Sequence, residues 1–126
     1  MIGSTRQLRV FAYCAPADLR KGYDGLSGLV RKAMKRDPIS GDLYLFINKR
    51  RHLAKVLLWD GTGLCIYSKR LERGRFADLW WRGRTKPIAM TTSELTLLLE
   101  GNELIGRRAL SPPPFLLAVA DEKSET

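Results

Sequence analysis

The stretch LYLFINKRRHLAKVLLWDGTGLCIYSKR, residues 43–70, decides the fold. Three apolar runs rich in β-branched and aromatic residues, 43–48, 52–60 and 64–70, are separated by very short polar links. Runs of this length and composition read as strands. The first link is Asn48-Lys49-Arg50-Arg51. The second is Asp60-Gly61-Thr62-Gly63, in which Asp-Gly supplies the positive φ angles of a tight hairpin turn. Links this short force antiparallel pairing, so the stretch predicts a three-stranded meander.

Upstream, QLRVFAYC (7–14) reads as a further short strand closed by Pro16. In the segment that follows, Leu19, Tyr23, Leu26, Leu29, Val30, Ala33 and Met34 recur mostly at spacings of three and four, one face of a helix. The helix is expected from about Tyr23 to Lys35, after an irregular turn near Asp18. Gly22, Gly25 and Gly28 lower its propensity by up to ~1 kcal/mol each, and close packing of the helix on the sheet is one reason to have them. DPISGD (37–42) is turn chemistry. Downstream, 86–91 suggests a short strand. TTSELTLLLEG suggests a second helix, capped by Thr92 or Ser93, favoured by Glu94 at its positive end and stopped by Gly101. The expected fold is α+β: an antiparallel meander sheet of four to five short strands, one helix on a face and a second helix near the C-terminus. Residues 1–108 are expected to form one domain, and 109–126 a Pro-rich and then acidic tail.

The chain has 126 residues and a formal net charge of +9, unevenly spread. Positions 49–86 hold eleven Lys and Arg against Asp60, Glu72 and Asp78, and the remainder to the C-terminus holds three against six acids. This asymmetry suits a nucleic-acid or anionic-surface partner. No run approaches the ~18 apolar residues of a membrane helix and no signal region opens the chain, so no membrane partner and a cytoplasmic location are expected.

Catalytic parts are scarce. His52 is the single histidine, and Cys14 and Cys65 form no CxxC pair. Asp37, Asp42 and Asp60 belong to turns and Asp18 suits a helix cap, which leaves no paired carboxylates for two-metal chemistry. DGTG lacks the following GK[ST] of a phosphate loop. No enzyme activity, no metal and no cofactor are expected.

The cations are the candidate site. Arg20 and Lys21 stand at the start of the first helix, where backbone N–H groups also favour phosphate; the competing reading pairs Arg20 with Asp18 or Asp24. Lys49, Arg50 and Arg51 crown a hairpin tip, either a phosphate probe or a solvated loop. Arg31, Lys32, Lys35 and Arg36 need only solvent and the helix dipole. Lys69, Arg70, Arg73 and Arg75 fall in KRLERGRF, followed by Arg82 and Arg84 with Trp80 and Trp81 between. Arginines interleaved with aromatics suit phosphate contact and base stacking, or, at Trp80 and Trp81, a protein partner. Leu71 and Phe76 are expected to pack inward and Glu72 to pair with a neighbouring Arg.

DLRKGYDGLSGLV, DPISGDLYLF, KVLLWDGTGLCIYSKRLERGRF and LTLLLEG occur in this order. Together, over roughly residues 8–101, they resemble the TnpB accessory protein, the second open reading frame, of the insertion sequence 66 family of bacterial transposable elements. The chain departs from the family pattern in RFADLWWRGRTKPIAM and after Gly101. The resemblance implies a small protein encoded beside a separate, larger transposase that does the cutting and joining, and it carries over no catalytic residue. It makes DNA and the transposase of the same element the expected partners. The alternative is a factor that binds the transposase without significant DNA affinity.

Overall fold

The computed structural model describes residues 8–80 and 85–101. The chain forms β1 (Val10–Ala12), α1 (Tyr23–Lys32), β2 (Leu43–Ile47), β3 (Leu53–Trp59), β4 (Leu64–Arg70), β5 (Ile88–Met90) and α2 (Thr92–Leu99). The five strands make one sheet in the order β4-β3-β2-β1-β5. The meander is present, with Leu45 opposite Val56 and Val56 opposite Tyr67. β5 pairs antiparallel to β1.

One pairing differs from the all-antiparallel expectation. β1 runs parallel to β2, with Val10 opposite Leu43. The physical reason is α1: a helix between two strands carries the chain back along the sheet, so the second strand starts from the same end as the first. The sheet is therefore mostly antiparallel, with one parallel pair.

Period-two alternation gives the sheet two buried faces. On one, Tyr44, Phe46 and Leu57 pack with Leu26 and Val30 of α1 and with Met34 just beyond it. On the other, Leu45, Ile47, Ala54 and Val56 pack with Leu95 and Leu98 of α2 and with Phe76, Ala77 and Leu79, which precede β5. Burying one such side chain contributes about 1.5–3 kcal/mol. Thr91, one residue before the expected cap, closes α2 in a capping box. Its hydroxyl accepts from the Glu94 N–H while the Glu94 carboxylate accepts from the Thr91 N–H at 2.7 Å. Gly101 ends the helix at φ +67°, against the Leu71 side chain.

The glycines of α1 do not serve helix–sheet contact. Gly22 and Gly28 face open space, and a Cβ on Gly25 would lie 2.7 Å from the Lys21 side chain, so Gly25 makes room for Lys21.

The strands define two ends. The loop before α1, the β2–β3 hairpin tip and the chain leaving β4 share one end, since Ala17 N–H donates to the Ile47 carbonyl and Leu53 lies opposite Arg70. The turn after α1 and the β3–β4 turn lie at the other.

Candidate nucleic-acid interface

The hairpin tip is built by Asn48. Its side-chain oxygen accepts the N–H groups of His52 and Leu53, both at 3.1 Å, and its carbonyl accepts from Arg51 N–H at 2.9 Å. This closed turn leaves Lys49 and Arg50 exposed. Arg51 sits at φ +60°, a conformation that costs a non-glycine residue about 1 kcal/mol. Here it makes a reciprocal tie. The Arg51 guanidinium donates to the Phe76 carbonyl at 3.0 Å, and Phe76 N–H donates to the Arg51 carbonyl at 2.8 Å. Leu71 N–H donates to the His52 carbonyl at 2.8 Å.

The segment leaving β4 is thereby laced to the hairpin tip. Phe76 is fully buried and Leu71 packs on the same core cluster, so the exposed residues between them are held at both ends. Gly74 turns the chain at φ +73° between Arg73 and Arg75. A cleft of about 610 Å³ results, lined by Lys49, Arg50, Arg51, His52, Gly74 and Arg75. Residues more than twenty positions apart in sequence thus form one cationic concavity. The sequence treated the tip and the basic octet separately, because only tertiary hydrogen bonds join them.

Charge pairing at this end is sparse. Arg70 Nε lies 3.1 Å from Glu72 Oε2 and Arg20 Nη2 lies 2.9 Å from Asp18 Oδ2. Among the described residues, no carboxylate comes within ion-pair distance of Lys49, Arg50, Arg73 or Arg75. Hydrogen bonds from the Arg20 guanidinium and N–H hold the Asp18 carboxyl far below the usual carboxylate range. The structure thus fills the Arg20–Asp18 reading. Arg20 and Lys21 share the cationic end but line no part of the cleft, as they belong to the loop on the α1 face. Lys69 and Arg70 end β4 beside it. Trp80 is half-buried against the core, with its backbone N–H donating to Asp78 Oδ1 at 2.9 Å. Trp81, Arg82 and Arg84 lie outside the described residues.

The sequence missed a cluster at the opposite end. Asp42 is fully buried and accepts from Arg9 at 3.0 and 3.3 Å and from Ser40 Oγ at 3.2 Å, while Arg36 approaches it to 3.6 Å. Arg36 also stacks 3.7 Å over the Phe11 ring. The only signal in the sequence was the polar turn around Asp42, which gave no hint of its partners.

The chain is similar to known proteins over most of its length. The family described as IS66 Orf2 like protein matches residues 8–109. Two relatives from Sinorhizobium fredii (strain NBRC 101917 / NGR234) are similar over 101 residues. The first, "Uncharacterized protein y4jC", is 36% identical, covering 80% of this chain and 85% of its own. The second, "Uncharacterized protein y4hO", is 35% identical, covering 80% and 86%. No solved structure shows a significant match.

Proposed function

Because the chain belongs to the IS66 Orf2-like family of transposition-associated accessory proteins, we propose that it assists a separate transposase by contacting DNA phosphates with the cationic end of its sheet. The observation that carries this reading is the cleft between the hairpin tip and the 71–76 segment, where Lys49, Arg50 and Arg75 converge without carboxylate partners among the described residues. Guanidinium groups match phosphate oxygens in a planar, two-pronged geometry. The buried Phe76 and the Arg51 tie fix the backbone beneath them, so less ordering entropy is lost on binding.

Affinity from such a surface comes mainly from releasing counterions of the DNA, which makes it salt-dependent and largely independent of sequence. The proposed role is that of an accessory factor, in keeping with the family. His52 lines the cleft among Lys49, Arg50, Arg51 and Arg75, with its Nδ1 3.2 Å from Asn48 Nδ2. Strand cleavage and joining are left to the transposase.

A gel-shift series over ionic strength with element-end and scrambled duplexes tests the reading. Both duplexes are expected to bind with similar affinity, and both should weaken steeply with salt. In the R73A/R75A double variant, log K against log salt should flatten by up to about 0.9 per lost phosphate contact. Absence of duplex binding by the wild type, or binding that ignores salt, overturns the reading.

A further inference from the structure

A second concavity, of about 350 Å³, lies away from the cationic cleft, between the end of α1 and the chain entering β5. Phe11, Ala33, Met34 and Pro87 give it an apolar lining, and Lys35, Arg36 and Lys86 give it a cationic one. The three cations are not equivalent. Arg36 is committed to Phe11 and Asp42. Lys35 and Lys86 have no ion-pair partner among the described residues and are exposed.

Lys35 carries a second observation. The helix closes in a wide turn, with Met34 N–H donating to the Leu29 carbonyl and Arg36 N–H to the Val30 carbonyl. That turn sets Lys35 at φ +59°. Helix ends of this kind ordinarily use Gly or Asn at the left-handed position. A lysine there costs about 1 kcal/mol of backbone strain, with no ion pair within the described chain to offset it. The helix-end hydrogen bonds hold that conformation, and the side chain it carries is left exposed at the rim of the concavity.

We propose that this groove receives an acidic segment of a partner protein, with one bulky apolar side chain seated on Phe11, Met34 and Pro87 and flanking carboxylates meeting Lys35 and Lys86. The volume suits one or two side chains of a peptide. The charge is complementary to carboxylates, and the apolar lining separates this site from the phosphate surface, whose cleft is formed largely by cations. Phe11 and Met34 offer nothing to a phosphate backbone, and Arg36 is engaged within the fold by the Phe11 ring and by the Asp42 carboxylate that it shares with Arg9. The inference stands apart from the DNA reading: it uses different residues at a different place.

The test uses the full chain and a fluorescent synthetic peptide with a single Phe among Asp and Glu residues, read by anisotropy. Wild type is expected to bind it. K35E/K86E should weaken binding at least about tenfold, replacement of the peptide Phe by Ala should weaken it comparably, and R73A/R75A should leave it within about twofold. K35G keeps the backbone conformation and removes only the side chain. It is expected to weaken binding several-fold without lowering the melting temperature. Failure of the wild type to bind overturns the proposal. So does equal binding of the Phe-less peptide, which would mean general charge attraction. An R73A/R75A loss as large as that of K35E/K86E moves the peptide to the other cleft. If K35E/K86E spares peptide binding and abolishes duplex binding, the groove belongs to DNA.

Discussion

The two ends of the sheet use arginine in opposite ways. At one end, the buried Asp42 gathers Arg9 and Arg36, and Phe11 stacks beneath Arg36. These cations hold the β1–β2 end to the turn after α1. At the other end, Arg51 is tied to the Phe76 backbone, while Lys49, Arg50, Arg73 and Arg75 stand exposed on a frame that the backbone and two apolar side chains supply. Net charge alone hides this difference. Cations that meet a buried carboxylate serve the fold, and cations held in place without one are available to a polyanion.

The largest expected effect comes from removing the apolar anchor of the exposed set. Phe76→Ala empties a fully buried site and should cost about 4 kcal/mol, read as a lower urea midpoint. If the loss is under about 1 kcal/mol, the 71–76 segment is not held as described. The counterpart at the opposite end is Asp42→Asn, which leaves Arg9 and Arg36 around an uncharged partner. It should cost about 2 kcal/mol, the value of hydrogen bonds to a charged group, with DNA affinity of the folded fraction unchanged. A drop in DNA affinity there would erase the contrast between the ends.

A smaller effect separates the two strained residues. Lys35→Gly relieves the φ +59° strain at no internal cost and should raise stability by about 1 kcal/mol. Arg51→Gly relieves the same strain but loses the bond to the Phe76 carbonyl, worth about 1 kcal/mol, so it should show no gain. Equal stabilisation by both would mean that the Arg51 tie contributes nothing.

Acidity provides a finer probe. At the β3–β4 turn, the N–H groups of Thr62 and Gly63, the Thr62 hydroxyl and the Cys65 thiol hold the Asp60 carboxyl down to about 2, from an ordinary value of 3.8. A depressed carboxylate favours the folded state above its unfolded value. Its contribution is therefore complete above about pH 4 and is lost as pH falls toward 2. Asp60→Asn should lose stability against wild type at pH 6, and the gap should narrow as the pH approaches 2. A gap that does not change with pH would assign the loss to turn geometry alone.

Much of this contrast was not legible in the chain. The meander of residues 43–70 was, because Asp-Gly and the short basic link leave antiparallel pairing as the one geometry available. α1 announced itself by the spacing of Leu26, Leu29 and Val30, although it ends at Lys32 and not near Lys35 as the spacing suggested. The parallel β1–β2 pair was missed because it depends on where α1 returns the chain, which no local pattern encodes. The individual cations of the cleft were visible as two basic runs. Their meeting rests on hydrogen bonds of Arg51 and His52 to Phe76 and Leu71, contacts with no sequence signature. The Asp42 cluster escaped for the same reason: Arg9 lies 33 positions from its partner.

The most direct test of the account compares one duplex across salt concentrations with three proteins: wild type, R73A/R75A and K35A/K86A. Each double variant removes two exposed cations, so the change in net charge is identical. The account predicts that R73A/R75A lowers affinity and flattens log K against log salt by up to about 0.9 per lost contact, while K35A/K86A stays close to wild type. Equal losses in both variants would show that DNA responds to total charge and not to the cationic end of the sheet, and would contradict the account.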